Sequence, residues 1–183
     1  MKTLLAVLVL CAFSCRAPEQ ADLFSNAGLN LADVHRAELD GSTKEKVPFG
    51  FLVAGHEVAK GAGRVFQFRQ KHDSKRGADG AYTEELSVYV PEGAPEELSI
   101  DLSERRNGVI AFYSTFSDAF RGNSGCFGYA ASGKLSIKKD GEHWIVTLNS
   151  TFARKDPIGL GARCDDVHVE GSYKIERQSP ASG

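Results

Sequence analysis

The sequence has little apolar length to spare. Leu4 to Phe13 is its one sustained apolar run, and nothing after it approaches the length of a membrane-crossing helix. At roughly ten residues behind the positive Lys2, that run has the size of a signal-peptide core and is too short to span a bilayer. The chain also lacks a basic block. Its 22 Lys and Arg stand against 24 Asp and Glu, for a formal charge of −2, and no predicted strand has a basic face. That argues against nucleic acid as a partner. Cysteine is scarce, at four, and there is a single Trp. No spacing of carboxylates marks an acid/base couple. Glycine is the exception, with nineteen residues that punctuate the chain at short intervals.

The end of the apolar run is informative. Ala12-Phe13-Ser14 puts small residues at −3 and −1 before Cys15. Cutting before Cys11 would leave bulky Leu10 at −1, and cutting after Ala17 would place Pro18 at the scissile bond. The stretch Ala12-Phe13-Ser14-Cys15 resembles the lipobox of bacterial lipoproteins. The resemblance covers residues 1–15, and Ala12 stands where that family most often has Leu. It implies that residues 1–14 are a signal peptide. It also implies that Cys15 becomes the acylated N-terminus and that the membrane is a partner through the lipid. The alternative is ordinary cleavage at the same bond, which would release a soluble periplasmic or secreted protein.

Cysteine arithmetic follows from this. Cys11 leaves with the signal peptide and Cys15 takes the lipid, so Cys126 and Cys164 remain. In an oxidising compartment they are expected to pair, closing a loop of about 40 residues. Two free buried thiols are the alternative.

Residues 15–46 read as a tether or short N-terminal element, in which Leu31, Val34 and Leu39 suit a helix and "DVHRAEL" an edge strand. From Val47 the pattern becomes short period-2 runs broken by Gly, Pro and charged turns. "VPFGFLVAGHEV" is apolar on both faces. "RVFQFRQK" aligns Phe66 with Phe68, and "TEELSVYV" aligns Leu86, Val88 and Val90. "ELSIDL" aligns Leu98, Ile100 and Leu102, and "NGVIAFYSTF" aligns Ile110, Phe112 and Phe116. "KHDSKRGADGAY" reads as a polar loop. Asp140-Gly141 is the preferred type I′ dipeptide, which would pair Lys139 with Glu142, Ile137 with Trp144 and Leu135 with Val146. In the last strand Val167, Val169, Tyr173 and Ile175 face inward, while Asp166, His168, Glu170, Lys174 and Glu176 face out. The expected fold is all-β: one antiparallel sandwich or partly open barrel of about eight strands over residues 47–178, with 179–183 as a disordered tail.

Candidate chemistry is thin. Gly128 to Leu135 nearly matches a phosphate-binding loop, but Leu135 replaces the required hydroxyl and the segment opens a hairpin, not a helix. "GNSGCFG" lacks the spacing and context of a nucleophile elbow. Asn149 heads a glycosylation sequon, which is moot for a bacterial lipoprotein. His56-Glu57 and His72-Asp73 are adjacent pairs, so on a strand each pair splits between faces. Asp166, His168 and Glu170 share one face and are weak candidates for a metal site, although any half-solvated strand shows that pattern. The leading expectation is an exported, lipid-anchored, non-enzymatic binding module of the cell envelope without a cofactor. Two other classes stand beside it. One is a small metal-dependent hydrolase using Asp166, His168 and Glu170. The other is a barrel holding an apolar ligand against Phe66, Phe68, Phe112 and Trp144.

Overall fold

Alternation of apolar and polar residues, interrupted by glycine, produces strands and no helices among the described residues. The computed structural model describes residues 11–12, 18–31, 56–72, 82–104, 108–117, 125–155 and 164–179. Ten strands follow in chain order: β1 (Cys11–Ala12), β2 (Gln20–Leu31), β3 (His56–His72), β4 (Tyr82–Val90), β5 (Glu97–Asp101), β6 (Ile110–Ser117), β7 (Cys126–Asp140), β8 (His143–Lys155), β9 (Val167–Ile175) and β10 (Arg177–Ser179). They form one curled sheet in the order β1-β9-β8-β7-β6-β4-β3-β2-β10, with β5 beside β7. The main ladders are antiparallel. After Glu176 the chain leaves β9 and, as β10, pairs in parallel with Asp22, Leu23 and Phe24 of β2. The two margins of the sheet therefore meet along this stretch, giving a partly open barrel.

The sheet begins earlier than expected. Gln20–Leu31 is a twelve-residue strand inside the segment read as a tether or short N-terminal element, paired with β3 from Gln20 opposite Arg69 onward. Its "QADLFSNAGLNL" has Leu23 as a buried inward position, but Asn26 at φ 52° and a register shift around Ala27 break the alternation that would have marked it. Val34, Leu39 and "DVHRAEL" lie outside the described residues, as do Cys15 and most of "VPFGFLVAGHEV". Cys11–Ala12 lies parallel to His168–Val169, a pairing that cleavage at Cys15 would remove. The polar loop is shorter than read, since Lys71, His72 and Tyr82 belong to strands. Ser179, assigned to the tail, is in β10.

One core fills the barrel. Phe66, Phe68, Leu86, Val88, Tyr113, Leu135, Val146, Leu148, Phe152 and Val169 have no solvent exposure. Phe112 is corrected: it points the other way, packing against Phe127 and Tyr129 at ring distances of 5.4 and 5.3 Å, while Ala111 and Tyr113 face the core. The reason is that the opposite face is buried too. Val65, Gln67, Glu85, Ser87, Phe112 and Ser114 are all nearly inaccessible. When both faces of a strand are buried, hydrophobicity does not tell inside from outside.

The β7–β8 hairpin is also corrected. Asp140 pairs with His143, Lys139 with Trp144, Ile137 with Val146 and Leu135 with Leu148. Gly141 and Glu142 are the central residues, and only Gly141 has positive φ, at 61°. That is the type II′ pattern, with glycine first, and not type I′. The ladder slides by two residues from the expected register, so every side chain keeps its expected face. A second glycine is needed farther along. Gly133 has φ 122°, and a Cβ there would collide with the backbone of Asn149 and Ser150. Beside it β7 bulges at Ala130/Ser132 and exchanges neighbours, pairing with β6 through Cys126–Tyr129 and with β5 through Lys134–Lys138.

Candidate functional site

The residues named from sequence do not assemble into a site. Asp166 and Glu170 are exposed, and His168 is half-buried beside them. His168 Nδ1 lies 3.2 Å from the Thr151 hydroxyl, and its Nε2 is 3.9 Å from a Glu170 oxygen. Among the described residues no group of three His, Cys, Asp or Glu side chains is disposed to hold a metal ion. Gly128 to Leu135 lies within β7, so it is no phosphate loop. Cys126 and Cys164 are joined, with Cα atoms 5.5 Å apart. The pair lies beside Thr115, whose hydroxyl is 3.4 Å from the Cys126 amide.

A different cluster lies at this same end of the barrel, built by register. Gln70 pairs with Glu84 and His72 with Tyr82 across β3–β4, and directly paired residues share a face. That face is the inward one of Phe66, Phe68, Leu86 and Val88. Glu84 therefore projects into the end of the core, where it is buried. Its carboxylate is held from both sides. Tyr113 donates its hydroxyl to Oε1 at 2.6 Å, and His72 Nε2 lies 2.7 Å from Oε2. The carboxylate assigns the proton to Nε2 and leaves Nδ1 as the outer nitrogen of the ring. Tyr82, 38 % exposed at the rim, stacks on His72 with ring centres 4.4 Å apart and planes within 9°.

Electrostatics fixes the phenols as donors. Burial, then the charge of Glu84, pushes the Tyr113 hydroxyl far above the ordinary tyrosine range. The same two causes, in that order, push Tyr173 up to about 12 and raise Tyr82. Each remains protonated at neutral pH. Gln70, also buried, donates weakly to Glu19 at 3.4 Å and to the Lys71 carbonyl at 3.2 Å, and its Oε1 has no partner among the described residues. The arrangement can orient an imidazole and hold a carboxylate, by both of its oxygens, in a dry place. A signal for it was present: Glu84 has the parity of Leu86 and Val88, and a carboxylate at a core-facing position needs partners. His72 was read only against its neighbour Asp73, not across the hairpin.

A separate cleft of about 330 Å³ opens where β7 exchanges β6 for β5. It is lined by Leu102, Val109, Ile110, Ala111, Tyr129 and Ala130, among others, and is mostly apolar. No family model, curated protein or solved structure matches this chain.

Proposed function

We propose that this is an exported, lipid-anchored protein of the bacterial cell envelope that works as a non-enzymatic binding module. The supporting observation is where the chain enters the sheet. Gln20 lies opposite Arg69, and Glu19 already contacts Gln70, at the barrel end that holds Glu84 and the disulfide. Only Arg16, Ala17, Pro18 and Glu19 separate Cys15 from β2. At full extension such a link reaches roughly 15 Å. An acylated Cys15 would hold the Glu84 end against the bilayer and turn the opposite mouth outward. The packed interior supports binding at the barrel ends over catalysis within it.

The test is made on full-length protein from a bacterial host. Wild type enters the detergent phase and Cys15→Ser stays in the aqueous phase. The intact mass shows more than one acyl chain, as stable anchoring requires. A mature mass with unmodified Cys15 overturns the anchor. The lateral cleft favours a second reading, a carrier of an apolar ligand entering between β5 and β6. Displacement of a fluorescent fatty acid by Ala111→Trp would support that reading.

A further inference from the structure

The mouth opposite the Glu84 end carries its own chemistry. It is a cavity of about 470 Å³, inside the usual range for small-ligand sites, with Leu23 and Ile175 in its floor. Trp144 forms one wall, mostly buried and backed edge-on by Phe66 at 5.5 Å. Arg64, Lys139, Glu96, Glu142 and Glu176 supply the charges.

These charges are not equivalent. Lys139 is paired with Glu96 at 2.6 Å, and Glu176 with Lys174 at 2.9 Å. Lys174, then His143, keeps the Glu176 carboxyl below its ordinary range, so it is ionised. Arg64 is held in another way. Its guanidinium carbon stands 4.7 Å from the centre of the Trp144 ring, and one terminal nitrogen donates to the carbonyls of Ala94 and Pro95 at 2.9 and 3.2 Å. No carboxylate pairs with it among the described residues, and its Nε and other terminal nitrogen carry no hydrogen bond there. Glu142 likewise has no ion-pair partner among the described residues. One fixed cation and one carboxylate are therefore left uncompensated in a single cavity.

We infer that this mouth binds a small zwitterion, a free α-amino acid or short peptide. The ligand carboxylate takes the free edge of Arg64, whose planar fork suits bidentate contact. The ligand ammonium faces Glu142. A simple anion would meet Glu142 uncompensated, and a simple cation would meet Arg64. The inference gives the binding-module reading its ligand class and rests on it, but it does not require the lipid.

Trp144 is the one tryptophan of the chain, so its emission reports on this wall alone. Full-length protein in detergent is titrated with L-alanyl-L-alanine to about 10 mM, above the roughly millimolar Kd expected for so small a ligand. A saturable change in emission is expected. N-acetylation or C-amidation of the dipeptide, or Arg64→Gln, should weaken binding about ten- to a hundredfold, the loss of a charge-assisted contact. Because Arg64→Gln also removes the contacts with the Ala94 and Pro95 carbonyls, Glu142→Gln serves as the second variant. Glu142 is exposed, and its neutral form should bind the acetylated dipeptide at least as well as the zwitterion. No saturable change, or equal binding of free and blocked dipeptides, overturns the inference. Binding by a protein that proves unacylated would leave this site standing and remove the anchor.

Discussion

The two ends of the barrel treat charge in opposite ways. At one end Glu84 is buried and both its oxygens are occupied, by a phenol that stays protonated and by an imidazole. At the other end Arg64, Lys139, Glu96, Glu142 and Glu176 ring an open cavity, and two of the five are uncompensated. Buried charge is tolerable only when it is paired and hydrogen-bonded, so the Glu84 end reads as a clasp. Exposed charge can stay unpaired at little cost, so the Trp144 end is free to recognise something. Removing a charge partner at the first end should cost stability, and removing one at the second should cost almost none.

The largest effect should come from the disulfide, which lies at the clasp end. Cys126→Ser with Cys164→Ser releases a loop of sequence separation 38, and chain entropy puts the loss near 3–4 kcal/mol. Denaturant unfolding with and without reductant measures it; identical midpoints would show that the staple does not bear on stability. Next comes Tyr113→Phe, which takes one of the two hydrogen bonds from buried Glu84 and should cost about 1–3 kcal/mol. Gly141→Val forces a β-branched residue to φ 61° at the hairpin turn, for roughly 1–2 kcal/mol. Lys139→Ala, which breaks the exposed pair with Glu96 at the recognition end, should change stability by less than about 1 kcal/mol. A loss there as large as that from Tyr113→Phe would erase the contrast.

The contrast also has a pH signature. Tyr113 and Tyr173 keep their protons in the folded protein above the pH at which the unfolded chain, near the ordinary tyrosine value of about 10, gives them up. The unfolded state then binds fewer protons, so stability is intact below about pH 10 and falls as pH rises through it. For Tyr173 the fall continues to about 12. Unfolding midpoints across that range should decline, and the double variant Tyr113→Phe, Tyr173→Phe should decline less steeply.

Strand alternation was legible wherever one face of a strand meets solvent. Val167 to Ile175, with Asp166, His168 and Glu170 outward, stands in the structure as it reads in the sequence. Period failed at Phe112, where both faces are buried, and at Gln20–Leu31, where Asn26 and a register shift interrupt it. The hairpin kept its faces but slid its register, because Asp-Gly fits two turn types and the difference lies in which residue takes positive φ. The Cys126–Cys164 pair was reached by counting, on the expectation that Cys11 and Cys15 are used elsewhere. Neither end of the barrel was legible as a unit. Glu84 meets His72 across β3 and β4, and Trp144 meets Arg64 across strands far apart in sequence. Such pairings follow from register and closure, which no local window contains.

Closure itself has a consequence for the order of assembly. The residues of β10 lie 155 positions (177 − 22) after the residues of β2 they pair with, Arg177 standing opposite Asp22. Contacts so distant in sequence form slowly, because a long loop must be ordered before they return any free energy. A chain synthesised from its N-terminus presents β2 first, and β2 waits beside an empty slot until Arg177–Ser179 emerges. Until then its outer edge is an unpaired row of amides and carbonyls, the kind of edge that recruits foreign strands. Arg177–Ser179 thus act as a seal, and a chain truncated before Arg177 should aggregate before it unfolds.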